Sequence, residues 1–239
     1  MVKQRKHEVS SQKVQSSNDP NLPQLQKGAL TPPPVQILIP SAVYASLNFL
    51  SPKECQAWID FAESEGFEQL SSPQTSMYAH RECGRLSRTS VRVADELFQR
   101  MKLMVQRIMK DVEFSKDENY KPVSCNSNIR IYKYEKGMSF GRHFDGSEKI
   151  SRYAGGNTEI TVLIYLSSCR GGSTRFYLPK KGKKMNDEGI AFQPQEGAIL
   201  MHLHGDRCLE HEANPVIHGI KYVLRTDVVF ARCNSSICA

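Results

Sequence analysis

Residues 159–166 read Glu-Ile-Thr-Val-Leu-Ile-Tyr-Leu, a run of β-branched and aromatic side chains that is typical of a buried β-strand. Similar short runs, separated by turn residues, lie at 129–134, 173–178, 198–203 and 220–231. Short strands with irregular returns fit a double-sheet jelly roll, which encloses a ligand between its sheets. We therefore predict a mostly β protein with flanking α-helices, whose core is a double-stranded β-helix of the cupin-like, jelly-roll kind.

The segment before these strands carries helix signals. Ser51-Pro52-Lys53-Glu54 combines an N-cap, a proline at the first helical position and a capping-box glutamate, which predicts a helix from residue 52 to about 66. A second amphipathic helix is predicted from apolar residues at helical spacing, namely Leu97, Met101, Met104, Val105 and Ile108. We expect residues 37–120 to be helical support for a jelly-roll core at 125–232.

Residues 1–36 are polar and end in Thr31-Pro32-Pro33-Pro34. Such a segment buries too little apolar surface to offset its ordering entropy. We predict a disordered, basic and proline-rich arm, followed by one domain at 37–239. Most of the formal net charge of +7 lies in this arm and in a lysine cluster at 180–184. Such runs are usually solvated surface, so nucleic-acid binding is left open but not favoured, and the loop 180–188 is either a substrate lid or a plain surface loop.

The composition also predicts a cellular setting. No stretch approaches the roughly 18 continuous apolar residues of a membrane span. The basic N-terminus lacks the apolar centre of a signal peptide, which argues against secretion by that route. The seven cysteines are scattered without paired spacing, as expected of free thiols in a reducing compartment. We expect an intracellular protein of the cytoplasm, the nucleus or an organelle.

Three side chains form a candidate metal site. His143 and Asp145 are two residues apart, so on a strand both would point to the same side. His211 would then come from a distant strand brought alongside. Two imidazoles and one carboxylate on one face of Fe(II) leave positions open for a bidentate cosubstrate and dioxygen. The pattern therefore favours an iron-dependent oxygenase.

Two other interpretations of these residues remain open. His143 and Asp145 could form a surface turn while His211 is a packed structural histidine. The second alternative is a structural zinc site formed by His202, His204, Cys208 and His211. These residues lack a paired Cys-x-x-Cys.

Lys221 follows a turn marked by Asn214-Pro215 and His218-Gly219, at the start of another apolar run. A lysine at this place could bind the far carboxylate of a 2-oxo acid. A carboxylate in an apolar pocket needs such a partner, because an unpaired buried charge is very costly.

These residues resemble the Fe(II) and 2-oxoglutarate-dependent dioxygenases, and more closely their prolyl 4-hydroxylase-like branch. The similarity covers most of residues 37–231. It rests on segments in the expected order at 48–51, 130–134 with Gly137, 142–145, 161–166, 171–176, 194–197 and 211–221.

The resemblance implies that His143, Asp145 and His211 hold catalytic iron, and that Lys221 binds the distal carboxylate of 2-oxoglutarate. It implies cosubstrate contacts for two tyrosines that could equally be ordinary aromatic core, Tyr134 and Tyr165.

One departure concerns the strand that begins at Lys221. Where the branch has a tryptophan-containing strand, this chain places Arg225 on the same strand face as Lys221. Four strand residues span roughly 13 Å, so the two cations should not share one carboxylate. We predict Lys221 as the anchor, and Arg225 as its competitor or as a buried partner of Asp227.

The resemblance implies hydroxylation of a C–H bond with succinate and carbon dioxide as coproducts, and ascorbate as a candidate reductant. A proline of a protein or peptide is the first predicted substrate. A small metabolite, an alkylated nucleic acid base and a noncatalytic jelly-roll binding module are the alternatives. The branch's collagen and cell-wall enzymes are secretory, which weakens the case for those particular substrates. The substrate-binding residues and the oligomeric state stay open.

Overall fold

The computed structural model describes residues 22–26, 34–75, 79–178 and 189–233. The helices are α1 (Pro52–Glu65), α2 (Val91–Asp111) and a single 3₁₀ turn at Gly205–Arg207. The strands are β1 (Gln36–Ile39), β2 (Val43–Ser46), β3 (Glu68–Ser72), β4 (Arg81–Thr89), β5 (Tyr120–Cys125), β6 (Asn128–Tyr134), β7 (Phe140–His143), β8 (Asn157–Tyr165), β9 (Arg170–Gly171), β10 (Thr174–Tyr177), β11 (Gly189–Phe192), β12 (Ile199–Leu203), β13 (His211–Ala213), β14 (Val216–His218) and β15 (Lys221–Arg232).

Most strands belong to one antiparallel sheet in the order β1-β2-β12-β8-β15-β6-β4-β7-β13-β10-β11. Strand β3 pairs with β4, β5 pairs with β15, and β9 and β14 form a separate two-stranded sheet. Between β4 and β7 the pairing is reduced to Arg81 with Phe140. Strand β10, near one end of this order, nevertheless contacts the central β8, because the Tyr165 hydroxyl hydrogen-bonds Thr174 Oγ1 at 2.8 Å. The result is a nearly closed barrel, and the predicted mostly β, double-stranded β-helix fold is confirmed.

The two faces of the central strands have different environments. In β8, the aliphatic side chains of Ile160, Val162 and Ile164 join the large apolar cluster that contains the buried faces of α1 and α2. The alternating residues Thr161 and Tyr165 point into the barrel, where each makes a side-chain hydrogen bond. The helices therefore close one face of the sheet, and the opposite face lines the interior.

Helix α1 begins and ends as the sequence predicts. Ser51 and Glu54 form both hydrogen bonds of the capping box, and Gly66 ends the helix with a φ of 79°. Glu54 also accepts hydrogen bonds from Arg100 of α2 and from the backbone N–H of Gln26. One buried carboxylate thus ties α1, α2 and the chain before β1 together.

Residues 22–26 depart from the predicted disordered arm. Leu22 and Leu25 are buried in the apolar cluster, and their segment is fixed by Arg92, whose guanidinium donates to Leu22 O. The prediction failed here because the arm is polar on average, whereas these two leucines bury apolar surface. The predicted arm otherwise falls mainly outside the described residues, as do the lysine cluster and the candidate lid at 180–188.

The region at 37–120 contains the expected helices. In addition it contains β2, β3 and β4, and all of β1 except its first residue.

Cys233 is disulfide-bonded, so the expectation of free thiols is wrong for this residue, whose spacing gave no sign of pairing. The free cysteines among the described residues are Cys55, Cys83, Cys125, Cys169 and Cys208.

Within the described ranges, no helix has the length and apolar character needed to cross a membrane.

Candidate active site

The barrel brings His143, Asp145 and His211 together. His143 ends β7, His211 begins β13, and the two are directly paired in the antiparallel register. Asp145 lies just beyond the end of β7, so the sequence prediction of one shared strand is wrong in this detail. Potential ligand atoms of the three residues all lie within 4.8 Å of one another. His143 Nε2 is 3.8 Å from Asp145 Oδ1, and His211 Nε2 is 3.7 Å from Asp145 Oδ2.

Both histidines are held so that Nε2 is available to a metal. His143 Nδ1 lies 2.8 Å from Gly141 O, and His211 Nδ1 lies 2.9 Å from Leu209 O. Each Nδ1–H can donate to its carbonyl, which leaves the Nε2 lone pair facing Asp145. Burial, and then the nearby His211, lower the pKa of His143 to about 4, so its imidazole is neutral at pH 7, as a ligand must be. This donor set fits a divalent ion such as Fe(II).

Asp145 is stabilised as a carboxylate by two donors. Thr161 Oγ1 donates to Oδ2 at 2.9 Å, and Arg225 donates to Oδ1 at 3.0 Å. Burial alone would raise the pKa of Asp145, but Arg225 and the surrounding histidines hold it well below its usual range. Asp145 therefore remains a negatively charged ligand candidate in a fixed orientation.

Lys221 is a buried cation at the start of β15, with only 2% of its surface exposed. Its Nζ donates to Gly172 O at 2.6 Å and lies 5.2 Å from the centroid of the Tyr134 ring. In the described part of the chain, no carboxylate forms an ion pair with it. Burial lowers the pKa of Lys221 to about 8, against a smaller opposite effect of Cys169. An incoming carboxylate would supply the charge partner that this ammonium lacks.

One cavity connects Lys221 with His143, Asp145 and His211. Its walls include Tyr132, Tyr134, Leu163, Thr174 and Val223. Tyr134 lines this cavity beside Lys221, and its contact with a cosubstrate stays a prediction. Tyr165 is fully buried behind the wall and reaches the cavity through Thr174, with 2.8 Å between the two hydroxyl oxygens. The cavity has a cation at one end and the metal-ligand candidates at the other, which matches a short dicarboxylate.

Arg225 shares the cavity-facing side of β15 with Lys221, but it is already paired. One guanidinium nitrogen donates to Asp145, and another lies 3.4 Å from Asp227 Oδ1. Asp227 also accepts from Arg130. Of the two roles predicted for Arg225, this geometry matches the buried partner of Asp227, and Asp145 is a second acceptor that the sequence did not reveal.

An open groove of about 1090 Å³ leads to the same site. The Arg81 guanidinium lies where the groove meets the cavity, 4.9 Å from the Tyr132 ring centroid and 4.6 Å from the Phe140 ring centroid. Phe144, between two ligand candidates, lines the groove with 63% of its surface exposed. The groove gives a substrate larger than the cavity access to the candidate metal site.

Sequence reasoning did not identify Thr161, Thr174 or Arg81 as parts of the site. Thr161 had a signal, because it shares a strand face with Tyr165; the other two depend on how the sheet bends. The alternative zinc site is assembled only in part. His202, Cys208 and His211 offer ligand atoms within 4.8 Å, whereas His204 Nδ1 lies 2.9 Å from Thr161 Oγ1.

Part of the chain is similar to known proteins. Residues 129–226 match the family model described as the 2OG-Fe(II) oxygenase superfamily. The chain is 31% identical over 121 residues to the probable prolyl 4-hydroxylase 4 of Arabidopsis thaliana, covering 42% of this chain and 41% of that protein. It is 30% identical over 121 residues to prolyl 4-hydroxylase 2 of the same plant, covering 42% and 40%. The matched region thus spans about two fifths of each relative.

Two solved structures share the fold. A viral collagen prolyl hydroxylase from Paramecium Bursaria Chlorella virus-1, in a 2OG complex, has a TM-score of 0.51 and 17% identity, covering 79% of this chain and 96% of that one. A prolyl hydroxylase from Trichoplax adhaerens, in complex with a hypoxia inducible factor peptide fragment, has a TM-score of 0.52 and 16% identity, covering 81% and 85%.

Proposed function

We propose that this chain, whose residues 129–226 carry the similarity to the 2OG-Fe(II) oxygenase superfamily, is an Fe(II)- and 2-oxoglutarate-dependent dioxygenase. The observation that carries the proposal is one cavity with two chemically distinct ends. Two neutral imidazoles and a carboxylate converge at one end, and the buried Lys221 lies unpaired by any described carboxylate at the other. A 2-oxo diacid offers a chelating group for the ion and a second carboxylate for the ammonium.

When bound, the ferrous ion and 2-oxoglutarate would supply the oxidising chemistry, in which one oxygen atom of dioxygen enters a substrate C–H bond and the other enters succinate as carbon dioxide leaves. His143, Asp145 and His211 would hold the ion. Lys221 would bind the distal carboxylate, and apolar wall residues such as Leu163 would keep water from the reacting groups. Ascorbate would serve to keep the iron reduced.

We propose a proline in a protein or peptide as the substrate. Two observations support this choice: the curated relatives are named as prolyl 4-hydroxylases, and the groove beside the site is open and elongated along β4 and β6. Phe144 offers an apolar contact at the mouth, and Arg81 offers donors for peptide carbonyl oxygens. A groove of this size is larger than a small metabolite requires.

The test is a turnover assay on the full chain with Fe(II), 2-oxoglutarate, ascorbate and proline-containing peptide libraries. We expect succinate formation together with a gain of one oxygen on proline, detected by mass spectrometry, and loss of both in His211→Ala. Matched peptides with alanine in place of proline are the control. Turnover without added iron and 2-oxoglutarate would contradict the dioxygenase proposal, and equal oxygen gain on the alanine peptides would contradict the proline substrate.

A noncatalytic binding module predicts a different result. Anaerobic addition of Fe(II) and then 2-oxoglutarate should give a weak visible charge-transfer band if the ion and the 2-oxo acid bind together. A protein that keeps the fold only as a scaffold would give none.

A further inference from the structure

The groove beside the candidate metal site is lined by arginines. Arg81 and Arg85 reach it from β4, Arg130 reaches it from β6, and Arg225 reaches it from β15. Within the described part of its wall, the one carboxylate is Asp145, which is itself a metal-ligand candidate. The wall that the structure describes therefore has an excess of positive charge.

Strand alternation places the β4 arginines of the groove on one face of the sheet. Arg81 and Arg85 line the groove. Leu86, on the opposite face, joins the apolar cluster under the helices, and Arg88 pairs with Glu65 of α1. Arg88 thus carries the same charge on the same strand as the groove arginines, but it serves a different surface.

The floor of the groove has the length of a short extended peptide. In the register between β4 and β6, Arg85 lies opposite Tyr132 and Thr89 lies opposite Asn128, and all four residues line the groove. A strand spans roughly 26 Å from residue 81 to residue 89, which is the length of about eight residues of an extended chain. A peptide that lies along this floor from the candidate metal site would pass the groove arginines in turn.

The groove arginines also have donors that the described chain does not use. Arg81 Nε is buried without a hydrogen-bond partner, and no described carboxylate forms an ion pair with this guanidinium. Arg85 donates to Glu68, and Arg130 donates to Asp227, in both cases through Nη2. No hydrogen bond joins the Nη1 of either residue to the described part of the chain. Because a guanidinium has several N–H donors, these side chains can bind a further acceptor.

We propose that the groove binds an acidic peptide segment, so that the substrate proline has aspartate or glutamate residues beside it. This inference rests on the proposed function and names a class of substrate for it. A guanidinium also donates to neutral carbonyl oxygens, but a carboxylate accepts two parallel hydrogen bonds and neutralises the charge as well. The excess of arginine over carboxylate in the groove wall favours an acidic peptide over a neutral or basic one.

The experiment measures the binding of fluorescent proline peptides to the full chain by fluorescence anisotropy. One peptide has glutamates on both sides of the proline, and the other has glutamines at the same positions, which keep nearly the same shape without the charge. We expect the glutamate peptide to bind about tenfold more tightly at low ionic strength, and this preference to shrink as salt is added. Equal affinities of the two peptides at low ionic strength would overturn the inference.

Variants of β4 locate the preference. Arg81→Gln and Arg85→Gln should each reduce the ratio of the two affinities by about threefold. Arg88→Gln is the matched control, because it removes the same charge from the same strand outside the groove, and it should keep the wild-type ratio. An equal reduction in Arg88→Gln would assign the preference to the overall charge of the protein and overturn the inference. Since the ratio compares two peptides in one sample, a partly unfolded variant does not distort it.

A single-stranded thymidine oligonucleotide tests the groove against another polyanion. If it displaces the glutamate peptide and binds more tightly, the groove belongs to nucleic acid and the inference fails.

Peptide binding needs no turnover, so this inference and the proposed function are judged separately. A wild type that hydroxylates proline peptides without any preference for acidic neighbours keeps the proposed function and removes the acidic-peptide groove. A wild type that prefers the glutamate peptide but forms no succinate keeps the groove and removes the dioxygenase.

Discussion

Lys221 carries a charge that the barrel interior penalises. Its pKa falls from 10.5 to about 8 through burial, a difference that corresponds to about 3 kcal/mol of unfavourable charging in the folded state. The carbonyl of Gly172 solvates the ammonium but does not neutralise it. The unfolded chain binds the proton more tightly, so this residue destabilises the fold below pH 8, and the effect fades as pH rises from 8 to about 10.

The affinity for 2-oxoglutarate should therefore depend on pH. The carboxylate needs a protonated Lys221, and the free protein loses this proton around pH 8. We expect binding to weaken by about tenfold between pH 7 and pH 9, as measured by anaerobic titration with Co(II) present. Lys221→Arg should give a nearly flat profile, because a guanidinium stays charged throughout this range. The same slope in both proteins would show that another group controls the pH dependence.

Arg225 has a different role on the same strand face, because it neutralises Asp145 and Asp227. Arg225→Leu should lower the free energy of unfolding by about 3–5 kcal/mol, since it leaves the buried Asp145 without its cationic partner. Urea unfolding measures the loss. The control is Arg85→Leu, which breaks the exposed pair with Glu68 and should cost about 0–1 kcal/mol. Similar losses in the two variants would contradict a buried, stabilising Arg225.

At the scale of elements, alternate residues of strand β8 have different roles. One face of the strand packs in the core, and the other supports the cavity wall. Ile164 packs in the cluster under the helices, whereas Tyr165 supports Thr174 in the cavity wall. Ile164→Ala should cost about 2–5 kcal/mol of stability and leave 2-oxoglutarate affinity largely unchanged. Tyr165→Phe should weaken that affinity by roughly fivefold, about 1 kcal/mol, and should cost less stability than Ile164→Ala. The reverse assignment of the two effects would mean that the strand faces are misassigned.

The sequence predicted the elements whose own residues specify them. The apolar runs became β6, β8, β10, β12 and β15, and the Ser51 capping box became the start of α1. It did not predict β4, whose residues Arg81–Thr89 are largely charged or polar and form a strand because β3 and β6 pair with both of its edges. Short strands such as β7 and β13 likewise depend on their neighbours, since β13 pairs with both β7 and β10.

The residues of the candidate site fall into the same two groups, those that the sequence identified and those that only the fold brings together. The spacing of His143 and Asp145 and the position of Lys221 after a turn were enough to select them. The approach of Arg225 and His202 to Asp145 depends on the register between β8, β12 and β15 and on the bend that carries β7 over them. No spacing along the chain encodes such a contact, because the residues involved lie on different strands.

At the scale of the whole molecule, the barrel holds a carboxylate surrounded by imidazoles at one end of a cavity and an ammonium at the other, and bound ligands should complete both ends. A ligand that binds only the folded state stabilises it by about 2.7 kcal/mol when present at 100 times its dissociation constant. We therefore expect two successive rises in Tm, the first with Co(II) alone and the second when 2-oxoglutarate is added to the Co(II) protein.

Two variants separate these rises, each measured against its own ligand-free Tm by calorimetry. His211→Ala should lose most of the first rise and, with it, the second, since His211 is a ligand candidate. Lys221→Met should start from a higher Tm at pH 7, because it removes a buried charge, and should keep the Co(II) rise while losing most of the 2-oxoglutarate rise. If a Lys221→Met protein is no more stable than wild type and still responds fully to 2-oxoglutarate, then Lys221 neither destabilises the fold nor binds the distal carboxylate.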